Sequence, residues 1–151
     1  MSIRINYRTV APDTITALLG VKTHLEKVFP DPRLKALVEL RTSQINGCAY
    51  CVDLHSKDAR KVGETQQRLD CLCVWREVSF FTPRERAALA LTEAVTRVSL
   101  EHVSDEIFDE ARAHFTEREI VDLVMVISVM NAWNRLSITM RNAPAADAMK
   151  E

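Results

Sequence analysis

The run from Ile120 to Trp133 is polar only at Asp122, Ser128 and Asn131, and no other segment constrains the chain as much. Thr116 and Glu119 precede it in the Thr-x-x-Glu pattern of a capping box, so the run opens as a helix. That helix is expected to reach about Arg141, short of Pro144. A helix apolar around most of its circumference must be covered on all sides. Two arrangements meet that demand. Other helices of the same chain can wrap it at the centre of a bundle, or a subunit interface can bury the face that they leave. Both require several further helices.

The remaining sequence supplies them. There are only 3 glycines and 5 prolines, and most fall where helices should start or stop. A first helix is expected from Asp13 to about Lys27, with Ile15, Leu18, Leu19, Val21, Leu25 and Val28 near one stripe. Asp31 as N-cap and Pro32 at N1 start a second, in which Leu34, Leu37, Val38 and Leu40 are apolar and Asn46-Gly47 is the end. A third follows at once, from about Cys48 to Val62, and stops at Gly63. A shorter helix around Gln66 to Arg76 precedes Thr82-Pro83-Arg84-Glu85, a capping box with proline at N1 that opens a helix to about Ser99. Ser104-Asp105-Glu106 opens another, acidic in its first turn. Little room is left for strands. The expected fold is all-α, a compact bundle of about six or seven helices.

A chain of 151 residues fits a single domain over 1–151, long enough to bury an adequate core without covalent staples. Its 20 basic and 21 acidic residues are interspersed and give a formal net charge of -1. Such a balance carries no electrostatic footprint for nucleic acid or for an anionic membrane. The segment Met1-Ser2-Ile3-Arg4-Ile5-Asn6 lacks the apolar centre of a signal peptide, and no stretch reaches the ~18 apolar residues of a membrane span. The expected location is therefore cytoplasmic and reducing, where a C-x-x-C pair is catalytic or metal-binding more often than structural.

That pair is Cys48-Ala49-Tyr50-Cys51, and His55 follows it. On a helix Cys48 and Cys51 lie about 60° apart with Cα atoms about 5 Å apart, within reach of a disulfide. Cys51 and His55 are one turn apart and share a face. A neighbouring imidazole and a helix N-terminus together lower a thiol pKa from about 8.5 into or below the neutral range. Thiol redox chemistry is the reading. Zinc is the alternative, with Cys48, Cys51 and His55 joined by His24, His102 or His114, but a second paired ligand motif is missing. Cys71 and Cys73 diverge by about 160° on a helix and read as ordinary small residues or as a regulatory thiol. His102 and His114 sit near expected helix ends, as exposed or capping groups.

The stretch from Leu37 to His55, with Asn46-Gly47-Cys48-Ala49-Tyr50-Cys51-Val52-Asp53-Leu54-His55 at its end, resembles the signature of the carboxymuconolactone decarboxylase superfamily, in its AhpD-like alkylhydroperoxidase branch. Ser56-Lys57-Asp58-Ala59-Arg60, Gly63-Glu64 with Arg68-Leu69, Trp75-Arg76-Glu77, Glu85-Arg86-Ala87-Ala88-Leu89 and Asn131-Ala132-Trp133-Asn134-Arg135 extend the likeness, which covers roughly 34–138. The resemblance implies an all-α bundle of helical hairpins that assembles into homo-oligomers, often trimers or hexamers. It also implies a C-x-x-C-x-x-x-H site that reduces organic hydroperoxides in antioxidant defence. No bound cofactor is implied; the reductant is an external dithiol, such as a dihydrolipoamide-type compound or a lipoylated protein. By the same resemblance Cys51 attacks peroxide, Cys48 resolves the sulfenic acid and His55 is the base. The spacing agrees in that His55 is one turn from Cys51 and two from Cys48. The helix dipole argues the other way, since Cys48 is nearer the N-terminus. Trp75 and Trp133 read as core or interface anchors, or as walls of a peroxide pocket.

The family's proton relay includes a glutamate 12 positions before the first cysteine, where this chain has Ala36. Some members have histidine between the cysteines, where this chain has Tyr50. Glu39 is a candidate substitute: it lies about 60° around the helix from Ala36, and in a hairpin turning at Asn46-Gly47 it stands at about the height of His55. Glu64, just beyond the cysteine helix, is the second candidate; either can instead be a solvated surface carboxylate. Three functions stay open: a thiol-dependent alkylhydroperoxide or disulfide reductase, a non-catalytic redox sensor or scaffold, and a carboxymuconolactone-type decarboxylase, a branch that generally lacks the cysteine pair.

Overall fold

The computed structural model describes residues 2–146; Met1 and residues 147–151, the two ends of the domain expected over 1–151, lie outside the described residues. In chain order the elements are α1 (Tyr7–Val10), α2 (Pro12–Val28), α3 (Pro32–Asn46), α4 (Ala49–Lys61), α5 (Gln66–Asp70), a 3-10 helix (Leu72–Glu77), α6 (Pro83–Thr96), α7 (Asp105–His114) and α8 (Glu117–Thr139). Among the described residues there is no strand, and the fold is all-α. No helix among them is long and apolar enough to cross a membrane.

Most helix starts follow the local chemistry. Asp31 accepts from the backbone of Arg33 and Leu34 at 3.0 Å each. Thr82 with Glu85 and Thr116 with Glu119 form reciprocal capping boxes, each satisfying two otherwise orphaned donors. Three expectations need correction. The short α1 was not expected; four residues capped by Asn6 are too few to show a hydrophobic period. The helix expected over 66–76 breaks at Cys71, because Val74 leaves helical geometry (φ −120°, ψ 29°) while Trp75 turns into the core. Arg86 of α6 then takes the carbonyls that a continuing helix would have used, donating to Trp75, Val78 and Arg76 at 3.0, 3.1 and 3.3 Å. The helix expected to run to about Ser99 stops at Thr96 in a turn.

The centre is α8, which packs against α2, α3, α4, α6 and α7. Ile120, Leu123, Val126, Ile127 and Met130 are buried by the chain's own helices, so wrapping within the chain accounts for most of the apolar run. What stays open is a narrow strip: Val121 is 59% and Met125 40% exposed, beside Phe108 of α7 at 42%. Wrapping by the chain's own helices thus leaves that strip as the part of the apolar run open to a second surface.

α3 divides the core in two. Leu34 and Val38, one turn apart, join the cluster built around α8, while Leu37 and Leu40 face a second one with Leu69, Leu72, Trp75, Phe81 and Leu89. At its C-terminal half Arg41 donates from two nitrogens to Glu93 of α6 at 2.9 and 2.7 Å. The same carboxylate accepts from Trp75 Nε1 at 2.9 Å and from Arg76 Nη1 at 2.5 Å. Burial pushes the Glu93 pKa up, but the hydrogen bonds from Arg76, Trp75 and Arg41 outweigh it and hold the group below its ordinary value. A buried carboxylate so fully paired stays ionised and fixes α3 against α6.

Candidate active site

The site begins where α3 ends. Gly47 sits in the left-handed region at φ 68°, a conformation that costs a residue with a Cβ about 1 kcal/mol or more. Cys48 N donates to Ser43 O at 3.1 Å and Gly47 N to Gln44 O at 3.2 Å, the paired bonds of a Schellman ending. The turn is so short that Cys48 closes α3 and caps α4 together. Its Sγ accepts from Cys51 N at 3.4 Å, so Cys48 is the N-cap of the cysteine helix and not a residue of its first turn. Asn46 pins this junction to α8, donating to Asn131 Oδ1 at 3.0 Å and to Asn134 Oδ1 at 2.9 Å.

Cys48 and Cys51 are joined in a disulfide, with Cα atoms 5.3 Å apart. Both are buried. Cys51 forms part of the wall of a cavity of about 120 Å³, together with His55, Tyr50, Trp133 and the apolar Leu19, Leu54 and Met130. Cys48 is not part of that wall. Tyr50 adds a phenol to the lining next to Cys51.

His55 is buried beside Cys51, and its Nδ1 lies 3.6 Å from Glu39 Oε2. That separation is too long for a hydrogen bond, and Nδ1 has no hydrogen-bond partner among the described residues. The other oxygen of Glu39 is 2.6 Å from Lys35 Nζ. Burial is the largest influence on His55 and drives its pKa below the ordinary 6.5; Glu39 and Asp58 pull it back up, and Lys35 and Lys22 push it further down. At neutral pH the imidazole is uncharged and able to accept a proton. On its other side a second cavity of about 410 Å³ is bounded by Ala36, Glu39 and Lys35. The small side chain of Ala36 leaves that space, and Glu39 reaches His55 from one turn further along.

Glu64 is a correction. Its carboxylate is taken by Arg33, at 3.2 and 3.1 Å, and by Arg68, at 2.7 and 3.3 Å. Two guanidinium forks occupy its lone pairs, and the structure does not bring it to His55 or to either thiol. The zinc alternative is not assembled either, because no group of three His, Cys, Asp or Glu among the described residues is placed to hold a metal ion. His24 and His102 are exposed, and His114 pairs with Glu110 at 3.3 Å. Cys71 and Cys73 are free thiols. Trp75 is a core anchor through Glu93, whereas Trp133 belongs to the cavity wall. Tyr7, Arg8 and Lys22 also line the cavity. Sequence reasoning missed all three, and the first two lie in a segment without periodicity.

An all-α chain whose C-x-x-C-x-x-x-H segment starts on a helix N-cap and opens onto a cavity has the fold of an AhpD-like protein. The chain belongs to the Carboxymuconolactone decarboxylase family, which it matches over residues 16–94. It is 40% identical to Uncharacterized protein YdfG of Bacillus subtilis over 146 residues, 97% of this chain and 99% of that one. The crystal structure of an Agrobacterium tumefaciens protein of unknown function, proposed there as an antioxidant defence protein AhpD, superposes with a TM-score of 0.93 at 36% identity and covers 96% of this chain and 100% of that one. A peroxidase-related protein from Ralstonia eutropha with an alkylhydroperoxidase AhpD core shares the fold at a TM-score of 0.81 and 24% identity, over 91% of this chain and 74% of its own.

The charges around His55 give a signed expectation. In the disulfide form its imidazole titrates below 6.5, and Glu39→Gln lowers that value further, because it removes the nearest charge that favours the imidazolium. Nitrogen-detected NMR of the ring against pH measures both. An upward shift in Glu39→Gln, or a wild-type value at or above the ordinary one, contradicts the assignment.

Proposed function

We propose that the protein is a thiol-dependent reductase of organic hydroperoxides in antioxidant defence, with Cys51 as attacking thiol, Cys48 as resolving thiol and His55 as base. One observation carries this reading: Cys51 and an uncharged, buried His55 share one cavity wall, while Cys48, in bonding reach of Cys51, stays off it. A peroxide in the cavity meets Cys51 first. Cys48, at the N-cap and in bonding reach of Cys51, is placed to attack that sulfur once the first step is complete.

In the reduced protein His55 takes the proton of Cys51, and Glu39 stabilises the imidazolium that results. The thiolate attacks the terminal peroxide oxygen. The O–O bond breaks, Cys51 becomes a sulfenic acid, and the leaving alkoxide takes the proton from His55 and departs as an alcohol. Cys48 then attacks the Cys51 sulfur; the S–S bond forms and the sulfenic hydroxyl leaves with the Cys48 proton as water. An external dithiol reduces the disulfide in two exchanges, giving up two hydrogens and becoming a disulfide itself. Since the disulfide is buried at a narrow cavity, the reductant has to be slender. A dihydrolipoamide-type arm, free or on a lipoylated protein, fits that requirement better than a thiol on a folded surface, and a reducing cytoplasm would maintain it.

Glu39 beside His55 favours this catalytic reading over a non-catalytic redox sensor, because the carboxylate missing at Ala36 has a stand-in. The cysteine pair argues against a carboxymuconolactone-type decarboxylase, whose chemistry needs no dithiol. We further propose a homo-oligomer, a trimer or hexamer, in which the strip of Phe108, Val121 and Met125 is covered by a second copy.

Two outcomes are expected. Wild type consumes cumene hydroperoxide with dihydrolipoamide, and Cys51→Ser lowers the rate by about 10³-fold or more, since it removes the nucleophile; turnover that survives in Cys51→Ser, or is absent in wild type, defeats the enzyme reading. Light scattering gives a mass of three or six chains, and Val121→Asp lowers it. A wild-type mass of 17.1 kDa at micromolar concentration defeats the assembly.

A further inference from the structure

We infer that the cavity takes substrates with a carboxylate at one end, recognised by Arg8; the inference rests on the peroxide-reductase reading for the reacting end of the substrate. Arg8 lines the same wall as Cys51. Among the described residues its guanidinium touches only two aromatic rings, 5.6 Å from the centre of Tyr7 and 5.9 Å from that of Trp133. Arg33, Arg41, Arg68, Arg76, Arg84 and Arg118 each pair with a carboxylate. Arg8 is exposed and, like Arg4, Arg60, Arg86 and Arg135, pairs with no carboxylate among the described residues, but those four donate to carbonyl or amide oxygens and the Arg8 guanidinium does not.

Contact with aromatic rings steadies a guanidinium through its face and leaves the N–H fork in its plane free for a planar, bidentate anion. A second donor points to the same chemistry. Trp133 Nε1 is buried and has no acceptor among the described residues, although buried donors are nearly always paired. A ligand oxygen in the cavity that Trp133 lines would supply that acceptor. Of the other charges on the wall, the Asp58 carboxylate opposes an anion but is countered by a lysine. Lys22 is cationic and pairs with Glu26, His55 is neutral, and Asp58 is held by Lys61 at 2.8 Å. With Leu19, Leu54 and Met130 filling the rest, the cavity suits a short apolar body with an anionic end and a hydroperoxide end, the class of small hydroperoxy acids.

The test compares cumene hydroperoxide with the same compound bearing a para-carboxylate. Wild type prefers the carboxylated peroxide in kcat/KM by about 10-fold or more, the worth of a charged hydrogen-bonded pair, with the difference mainly in KM. Arg8→Gln removes most of that preference, and Arg8→Lys, which keeps the charge without the fork, retains part of it. No preference in wild type, or an equal preference in Arg8→Gln, overturns the inference. If neither peroxide is consumed, the reductase reading has failed and binding decides the inference alone. Fluorescence titration with phenylacetate against 2-phenylethanol then shows either a carboxylate preference lost in Arg8→Gln, which upholds it, or equal binding, which overturns it.

Discussion

The side-chain amide of Asn46 holds the end of α3 against α8, and the site is built outward from that contact. It donates to Asn131 and Asn134; Asn134, fully buried, returns a bond to Ser43 Oγ at 3.2 Å, and Arg135 donates to Asn131 Oδ1 at 2.9 Å. Each such bond contributes only about 1 kcal/mol net, whereas a buried amide left without a partner costs about 1–3 kcal/mol. The cluster therefore fixes position more than it adds stability, since a slip of either helix would orphan several groups together. With α3 so held, the left-handed Gly47 has one place to turn, and Cys48 lands where it must both finish one helix and begin the next.

From Cys48 the register of α4 does the rest. Cys51 follows one turn on and His55 a turn beyond, and because α3 and α4 form a tight hairpin, a residue on α3 at the matching height faces the imidazole. Glu39 is that residue. Burial and the neighbouring ammonium groups outweigh the carboxylates near His55, so the ring is kept as a base and not as a standing cation. Cys48 thus sits at the helix end and Cys51 on the cavity wall with the imidazole, and the proposed split between an attacking and a resolving sulfur rests on that placement.

Much of this was legible because it is local. The capping boxes at Thr82 and Thr116, the Asp31-Pro32 start and the Asn46-Gly47 stop each state a helix boundary within four residues, and the height of Glu39 follows from the hairpin they define. The failures are long-range. Nothing near Glu64 in sequence shows that Arg33 reaches across to claim it. Nothing near Val74 shows that Arg86 takes the carbonyls that end the helix there. The exposure of Val121 and Met125 depends on where α7 lies, which a helical period cannot state. Arg8 is the clearest case: it stands in a four-residue helix, and its place beside Trp133 at the cavity is set only by folding.

The division of labour between the sulfurs is the centre of this account, and trapping the first oxidised species tests it most directly. In Cys48→Ser, treated with one equivalent of organic hydroperoxide and then with dimedone, mass spectrometry should place a single sulfenic adduct on Cys51, formed more slowly when His55→Ala is added. An adduct on Cys48 in Cys51→Ser, with none on Cys51 in Cys48→Ser, would contradict it.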